Sequence, residues 1–193
     1  MSVRRALRLA PLLLAGVAAA RAESPGSPLD ELLARLGATQ HRHATFTERF
    51  SSHLLDRAVD SSGELFYDAP DHLEKRTLAP RAERMVLDHG ALTLERRTRS
   101  IQTTLAAAPD VAPFVEAIRA TLAGDRAALE HYFEVELERD AGGWSLVLVP
   151  RAVLASKVAE IRIRGAADEI TGVAIRLANG DASLMTLTPA GPG

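Results

Sequence analysis

His41 and His43 flank Arg42 two residues apart, the spacing that places side chains on one face of a strand. A pair of imidazoles so placed is a candidate half of a metal site, but a tetrahedral site needs further ligands close by. No third ligand is adjacent, so the pair reads as solvated surface. Glu134, Glu136 and Glu138 repeat with the same period opposite Val135 and Leu137, the pattern of a wet outer face on a half-buried strand. Paired carboxylates for acid–base work are therefore not expected there. Ser, His and Asp are all present, but the sequence contains neither Gly-x-Ser-x-Gly nor His-Glu-x-x-His. The charged runs Glu95–Arg99 and Arg162–Arg164 read as solvated faces, with a docking surface as their other use. The hydrolase readings are therefore weak, and no metal site is expected.

The apolar residues are more telling: their default use is ordinary core, a curved sheet under short helices can also leave a hollow, and their spacing defines the elements. Leu29, Leu32, Leu33 and Leu36 recur at three and four residues, predicting a helix that stops at Gly37. From Ala44 the period changes to two. Ala44, Phe46, Glu48 and Phe50 share a face, and the extended chain is expected to continue through His53–Val59 to a turn at Asp60–Gly63. Strands are expected over Glu64–Asp68, Leu73–Leu78, Glu83–Leu87 and Ala91–Glu95. A helical segment follows, with Val111, Phe114, Val115, Ile118 and Leu122 on one face and Gly124 as its stop. Asp125 is placed to cap a second short helix. Strands return over 132–139, 144–149, 158–164, 170–177 and 181–187, the last two joined at Asn179-Gly180, a strong hairpin signal. Helix, meander, helical insert and second meander give an α+β protein of about ten antiparallel strands: a strongly curved sheet with helices on one face.

The first residues bear on compartment. Arg4, Arg5 and Arg8 precede an apolar stretch over Leu9–Ala20 and a small-x-small site at Ala20-Arg21-Ala22, the layout of a secretory signal peptide. Residues 1–22 are expected to be removed, 23–28 to form a flexible Pro/Ser/Gly leader, and 29–193 to fold as a single domain. The stretch is shorter than the ~20 residues that span a bilayer, so the mature chain is not expected to cross one. Cysteine is absent, which excludes disulfides and thiolate chemistry. The sequence has 23 basic and 25 acidic residues; without the four arginines of residues 1–22 the balance is 19 against 25, a net charge of −6. That argues against a nucleic-acid partner.

Several segments resemble, in order and spacing, the LolA family of periplasmic outer-membrane lipoprotein carriers. His43-Ala44-Thr45-Phe46-Thr47-Glu48-Arg49-Phe50 is similar to the family's first strand, and Gly63–Pro70 to its Gly-x-Leu-aromatic-x-x-x-Pro strand. Leu73 and Pro80 fall where the next strand has an apolar residue and a closing proline. Met85–Leu92 looks like the family's apolar Asp-Gly hairpin, and Trp144–Pro150 like its late strand. The resemblance covers almost the whole of 23–193. It implies an unclosed, strongly curved antiparallel half-barrel of about 10–11 strands with a helical lid over an apolar cavity. It implies a periplasmic location and an acylated lipoprotein or lipid as cargo, carried by a monomer from an inner-membrane exporter to an outer-membrane acceptor, with no cofactor, no catalytic residue and no enzyme activity. The alternative use of the same fold is a lipid-sensing or scaffolding module that binds lipid without delivering it. The residues expected at the cavity and lid are Phe46, Phe50, Leu65, Tyr67, Leu73, Phe114, Ile118 and Leu122. The sequence departs from the family's pattern at Ala69, where the best-studied carriers have an Arg that fastens the lid through its backbone, and at Lys75, often an aromatic. Ala69 is therefore the expected lid-control position. The chain reaches Gly193 soon after the last strand, so the further C-terminal segment of those carriers is expected to be missing.

Overall fold

The computed structural model of the chain describes residues 26–152 and 154–190. The expected signal at 1–22 lies outside them.

Helix α1, Pro28–Gly37, begins where Ser27 Oγ accepts the Asp30 amide at 3.2 Å and the Asp30 carboxylate accepts the Ser27 amide at 3.1 Å. Its four leucines are all buried. Eleven strands follow the order β1 (His41–Ser51), β2 (Val59–Asp68), β3 (His72–Ala79), β4 (Glu83–Asp88), β5 (Ala91–Arg96) and β6 (Arg99–Thr104), then β7 (Phe133–Asp140), β8 (Gly143–Pro150), β9 (Val158–Ala166), β10 (Glu169–Leu177) and β11 (Ala182–Pro189). Between β6 and β7 run a 3₁₀ turn at Leu105–Ala107 and two helices, α2 (Ala112–Ala123) and α3 (Arg126–Tyr132).

All strands form one antiparallel sheet in the order β6-β5-β4-β3-β2-β1-β11-β10-β9-β8-β7. Each half of the chain is a meander built outward from a central seam where β1 meets β11, Phe46 opposite Leu187. The sheet is left open, with β6 and β7 as its edges. Irregular registers at Ser62/Gly63, Ile170/Gly172 and Arg176/Leu177 bend it. Period-two alternation sends Phe46, Tyr67, Leu73, Leu87, Leu146, Ile161, Ile163 and Val173 to the concave face, where α1, α2 and α3 cover them. The architecture is therefore an α+β half-barrel with helices over its concave face.

Two expectations about the β1–β2 connection are corrected. The turn lies at 52–58, not at Asp60–Gly63, with the Leu55 amide donating to Ser52 O at 3.1 Å. Gly63 sits inside β2, where a Cβ would stand 1.9 Å from Arg76 O and 2.9 Å from the Phe46 ring. This glycine is present for close approach across the sheet, not for a turn. Strand β6 was not expected, because Arg99-Ser100 carries no apolar alternation; Arg97, at φ 53°, turns the chain from β5 into it. Tyr132 closes α3 rather than opening a strand.

Candidate functional site

Helix α2 is the lid element. Ala117 and Ala120 are fully buried, and α1 crosses closely because Gly37 and Gly124 carry no side chain: a Cβ on Gly124 would meet Leu33 O at 2.3 Å, and one on Gly37 would meet Ala123 O at 2.7 Å. Gly124 also ends α2 at φ 67°, a left-handed conformation that glycine adopts without strain. Ile118 and Leu122 point the other way, onto the sheet.

Under them lies a cavity of about 50 Å³, walled chiefly by Ala44, Leu65, Tyr67, Leu73, Ile118, Leu122, Ile170, Val173 and Leu187. Five of the expected residues, Leu65, Tyr67, Leu73, Ile118 and Leu122, thus converge on one space. Phe46 is 2% exposed and packs in the surrounding core, and Phe114 packs against that core half-buried. Phe50 lies half-buried near the far end of β1 and does not reach the cavity. Ile170, Val173 and Leu187 complete the wall from the second meander; the register shift between Ile170 and Gly172 puts Ile170 and Val173, three residues apart, on one face, and neither that shift nor the β1–β11 seam was visible in the sequence.

A second hollow, of about 520 Å³, opens over the concave face of β3–β6, which the helices leave largely bare. Met85, Leu94, Ile101 and Val111 line it together with Lys75, Thr77, Glu83, Arg96 and Arg99. Ligand pockets for drug-sized molecules run from about 300 to 1,000 Å³. The covered cavity is far below that range, and the open hollow falls within it.

Polar groups brace this arrangement. At the concave end of β1, Glu48 accepts from Lys75 Nζ at 2.5 Å and from Ser183 Oγ at 2.6 Å, while the Lys75 ammonium sits 4.8 Å from the Phe46 ring centre. Burial pushes the Glu48 carboxyl up, but Lys75 and the hydroxyls outweigh it and hold the pKa below the ordinary value. Lys75 thus occupies the position of the expected aromatic with a paired charge. Under the C-terminus of α1, Arg42 donates to Leu36 O at 2.9 Å and to Asp168 O at 2.8 Å, and pairs with Glu169 at 3.2 Å.

At the lid's corner, Arg119 of α2 donates to the Pro70 carbonyl at 3.3 Å, and the Tyr67 hydroxyl donates to the same oxygen at 3.2 Å. Arg119 is 13% exposed and is held by Glu116 at 2.5 Å and Asp125 at 3.3 Å. Next to Pro70, Ala69 is half-buried, and its amide donates to Gln40 O at 2.8 Å. The guanidinium at this corner comes from the lid and grips the backbone of the β2–β3 turn. Sequence reading missed it, because Arg119 lies in a helix whose apolar face dominated the pattern.

The remaining polar candidates separate. His41 pairs with Asp68 at 2.7 Å, while His43 stacks on Phe66 with ring centres 4.4 Å apart and faces Glu64 at 3.3 Å. Glu134, Glu136 and Glu138 are exposed, Glu138 pairing with Arg162 at 2.5 Å. Among the described residues no three His, Cys, Asp or Glu side chains gather as a metal site, and no helix is long and apolar enough to cross a membrane.

A family model described as "Outer membrane lipoprotein carrier protein LolA-like" matches residues 13–191. The chain belongs to this family. Among solved structures, the LolA-like chain is similar to a LolA superfamily protein of Nitrosomonas europaea at 9% identity and TM-score 0.47, covering 83% of this chain and 91% of that one. It is also similar to the lipoprotein LppX of Mycobacterium tuberculosis, at 8% identity and TM-score 0.41 over 84% and 97% of the two chains. A structure of the Pseudomonas aeruginosa MucA/MucB complex matches at 13% identity and TM-score 0.43, covering 86% of this chain and 58% of that one. The sequence matches no curated protein.

Proposed function

We propose that this LolA-like protein is a periplasmic carrier that shelters the acyl chains of a lipoprotein or lipid-linked cargo and moves it from the inner towards the outer membrane. It acts by binding and release, without a catalytic step. The observation that carries the reading is the convergence of Leu65, Tyr67, Leu73, Ile118 and Leu122 between the sheet and a lid fastened at one corner. Exposing an acyl chain to water costs about 0.8 kcal/mol per CH₂, so an apolar lining removes a cost that grows with chain length. With α2 seated as it is, the space of about 50 Å³ is too small for an acyl chain; cargo enters as α2 lifts, joining this space to the hollow over β3–β6. Mass spectrometry of lipid extracted from protein purified out of the periplasm tests the reading, followed by transfer of that lipid to acceptor vesicles. Acylated species that pass to acceptors are expected. Acyl lipid that binds and never transfers would favour a lipid-sensing module, and no acyl lipid at all would end the carrier reading.

A further inference from the structure

The strands alternate in direction, so the β1–β2, β3–β4 and β5–β6 connections line one end of the half-barrel. With strands about 4.8 Å apart, this rim runs for about 20 Å. Large apolar side chains gather there in water. Leu54 is 80% exposed and Leu78 62%, and Leu55 and Val59 are exposed beside them. Arg57, Arg81, Arg97 and Arg99 stand exposed on the same three connections, and none forms an ion pair among the described residues. Of the nearby carboxylates, Asp60 is taken up by Arg49 at 3.7 Å, Glu83 by Arg96 at 2.7 Å, Glu95 by Arg84 at 3.6 Å and Asp181 by His53 at 3.1 Å, leaving Asp56 against four free guanidiniums. The opposite rim carries Asp71, Asp88, Asp140 and Asp168 at its turns. An acidic chain thus concentrates unpaired positive charge and exposed leucine at a single end.

We propose that this rim docks on an anionic lipid surface, with Leu54 and Leu55 entering the headgroup layer and the arginines meeting lipid phosphates. The charge fits such a surface: clustered basic residues are attracted to anionic lipids, and the acidic rim is turned away. The apolar groups also fit it. Leu54, Leu55 and Val59 cluster on the β1–β2 connection and Leu78 stands at the end of β3, a small protruding group rather than a flat patch of the size a protein interface buries. Leu54 and Leu55 sit at the tip of a seven-residue connection whose neck is held by His53 and Asp181 at 3.1 Å. Arg99 lines the open hollow as well, so docking brings that hollow against the membrane. Docking of this rim on lipid and carriage of an acyl chain inside the half-barrel are separate properties of the molecule.

Co-flotation with vesicles of phosphatidylethanolamine and phosphatidylglycerol tests it, against vesicles of phosphatidylcholine alone. Binding to the anionic vesicles is expected at low salt and is expected to be lost at 1 M salt, where screening acts within about 3 Å. Removing two arginines that line neither hollow, Arg57→Gln with Arg81→Gln, should weaken binding about thirtyfold. Leu54→Ser with Leu55→Ser should weaken it about tenfold while leaving the charge unchanged. Asp71→Asn with Asp168→Asn on the opposite rim should not weaken it. All three pairs are at exposed or half-exposed positions, and circular dichroism verifies that each variant folds. Equal binding to both vesicle types, no binding to either, or anionic-vesicle binding that survives the arginine changes would overturn the proposal. Uptake of a fluorescent fatty acid by the same variants reads the carrier function separately, and it should be unaltered.

Discussion

The grip of Arg119 on Pro70 makes a prediction about lid opening that can be worked from the structure. Arg119 donates to the Pro70 carbonyl at 3.3 Å from a position 13% exposed. A hydrogen bond from a charged donor contributes about 1.5–3 kcal/mol net, and the length of this one argues for the lower end. Losing ~1.5 kcal/mol from the closed state raises the open-to-closed ratio about tenfold. Replacing Arg119 alone would also strand Glu116, which is only 12% exposed, so the comparison pairs Glu116→Gln/Arg119→Gln with Glu116→Gln. Stopped-flow release of a fluorescent fatty acid to acceptor vesicles should be about tenfold faster in the double variant. Adding Ala69→Arg to the double variant places a guanidinium on the sheet side of the same corner and should slow release again. In the native background, where Arg119 already holds that corner, it should change release little. Release that is identical in Glu116→Gln and Glu116→Gln/Arg119→Gln, both correctly folded, would refute the argument that this contact governs opening.

Other consequences follow from particular residues. Ile118→Asp with Leu122→Asp puts two carboxylates into the space under α2 and should abolish fatty-acid uptake, read by fluorescence titration, while circular dichroism still reports a folded sheet. Gly63→Ala forces a methyl against Arg76 O and the Phe46 ring and should cost more than about 2 kcal/mol in urea unfolding. Glu74 is 5% exposed, and hydrogen bonds from Arg84 and then Arg76 overcome its burial and hold its pKa at about 2, against 4.5 for a free glutamate. Its contribution to stability is therefore complete above the unfolded value and fades as pH falls from about 4.5 to about 2. Glu74→Gln should cost about 1–3 kcal/mol at pH 7, discounted for the half-exposed arginines, with the difference closing at acid pH. Intact-mass analysis of protein recovered from the periplasm should give a chain beginning at Glu23.

Much of this architecture was legible because period two and period 3.6 are local properties. The leucine spacing in α1, the alternation through β1 and β7–β11, and the stops at Gly37 and Gly124 all lie within a few residues of the features they dictate. What was hidden depends on partners far along the chain. Gly63 reads as a turn residue until β3 and Phe46 are seen pressed against it. Leu54 and Leu55 read as strand until the neighbouring register ends β1 at Ser51. Most of the lining of the covered space follows from local alternation, but Val173 and Leu187 arrive only through a seam between the two ends of the chain. That a guanidinium reaches this corner from α2 could not be inferred from Ala69, because a position without a donor does not say where else one stands.

The strand order makes the helical segment a tie between the two free edges of the sheet. β6 ends at Thr104 and β7 begins at Phe133, at opposite margins of the eleven strands, and the intervening 3₁₀ turn and helices span the gap like a string across a bow. A guest that wedges the concave face apart must draw those margins away from one another and put α2 under tension; slackening the helices, conversely, lets the sheet relax outwards. Lid position and sheet curvature are coupled through the chain itself, because the segment that carries α2 is joined at its two ends to the two margins of the sheet.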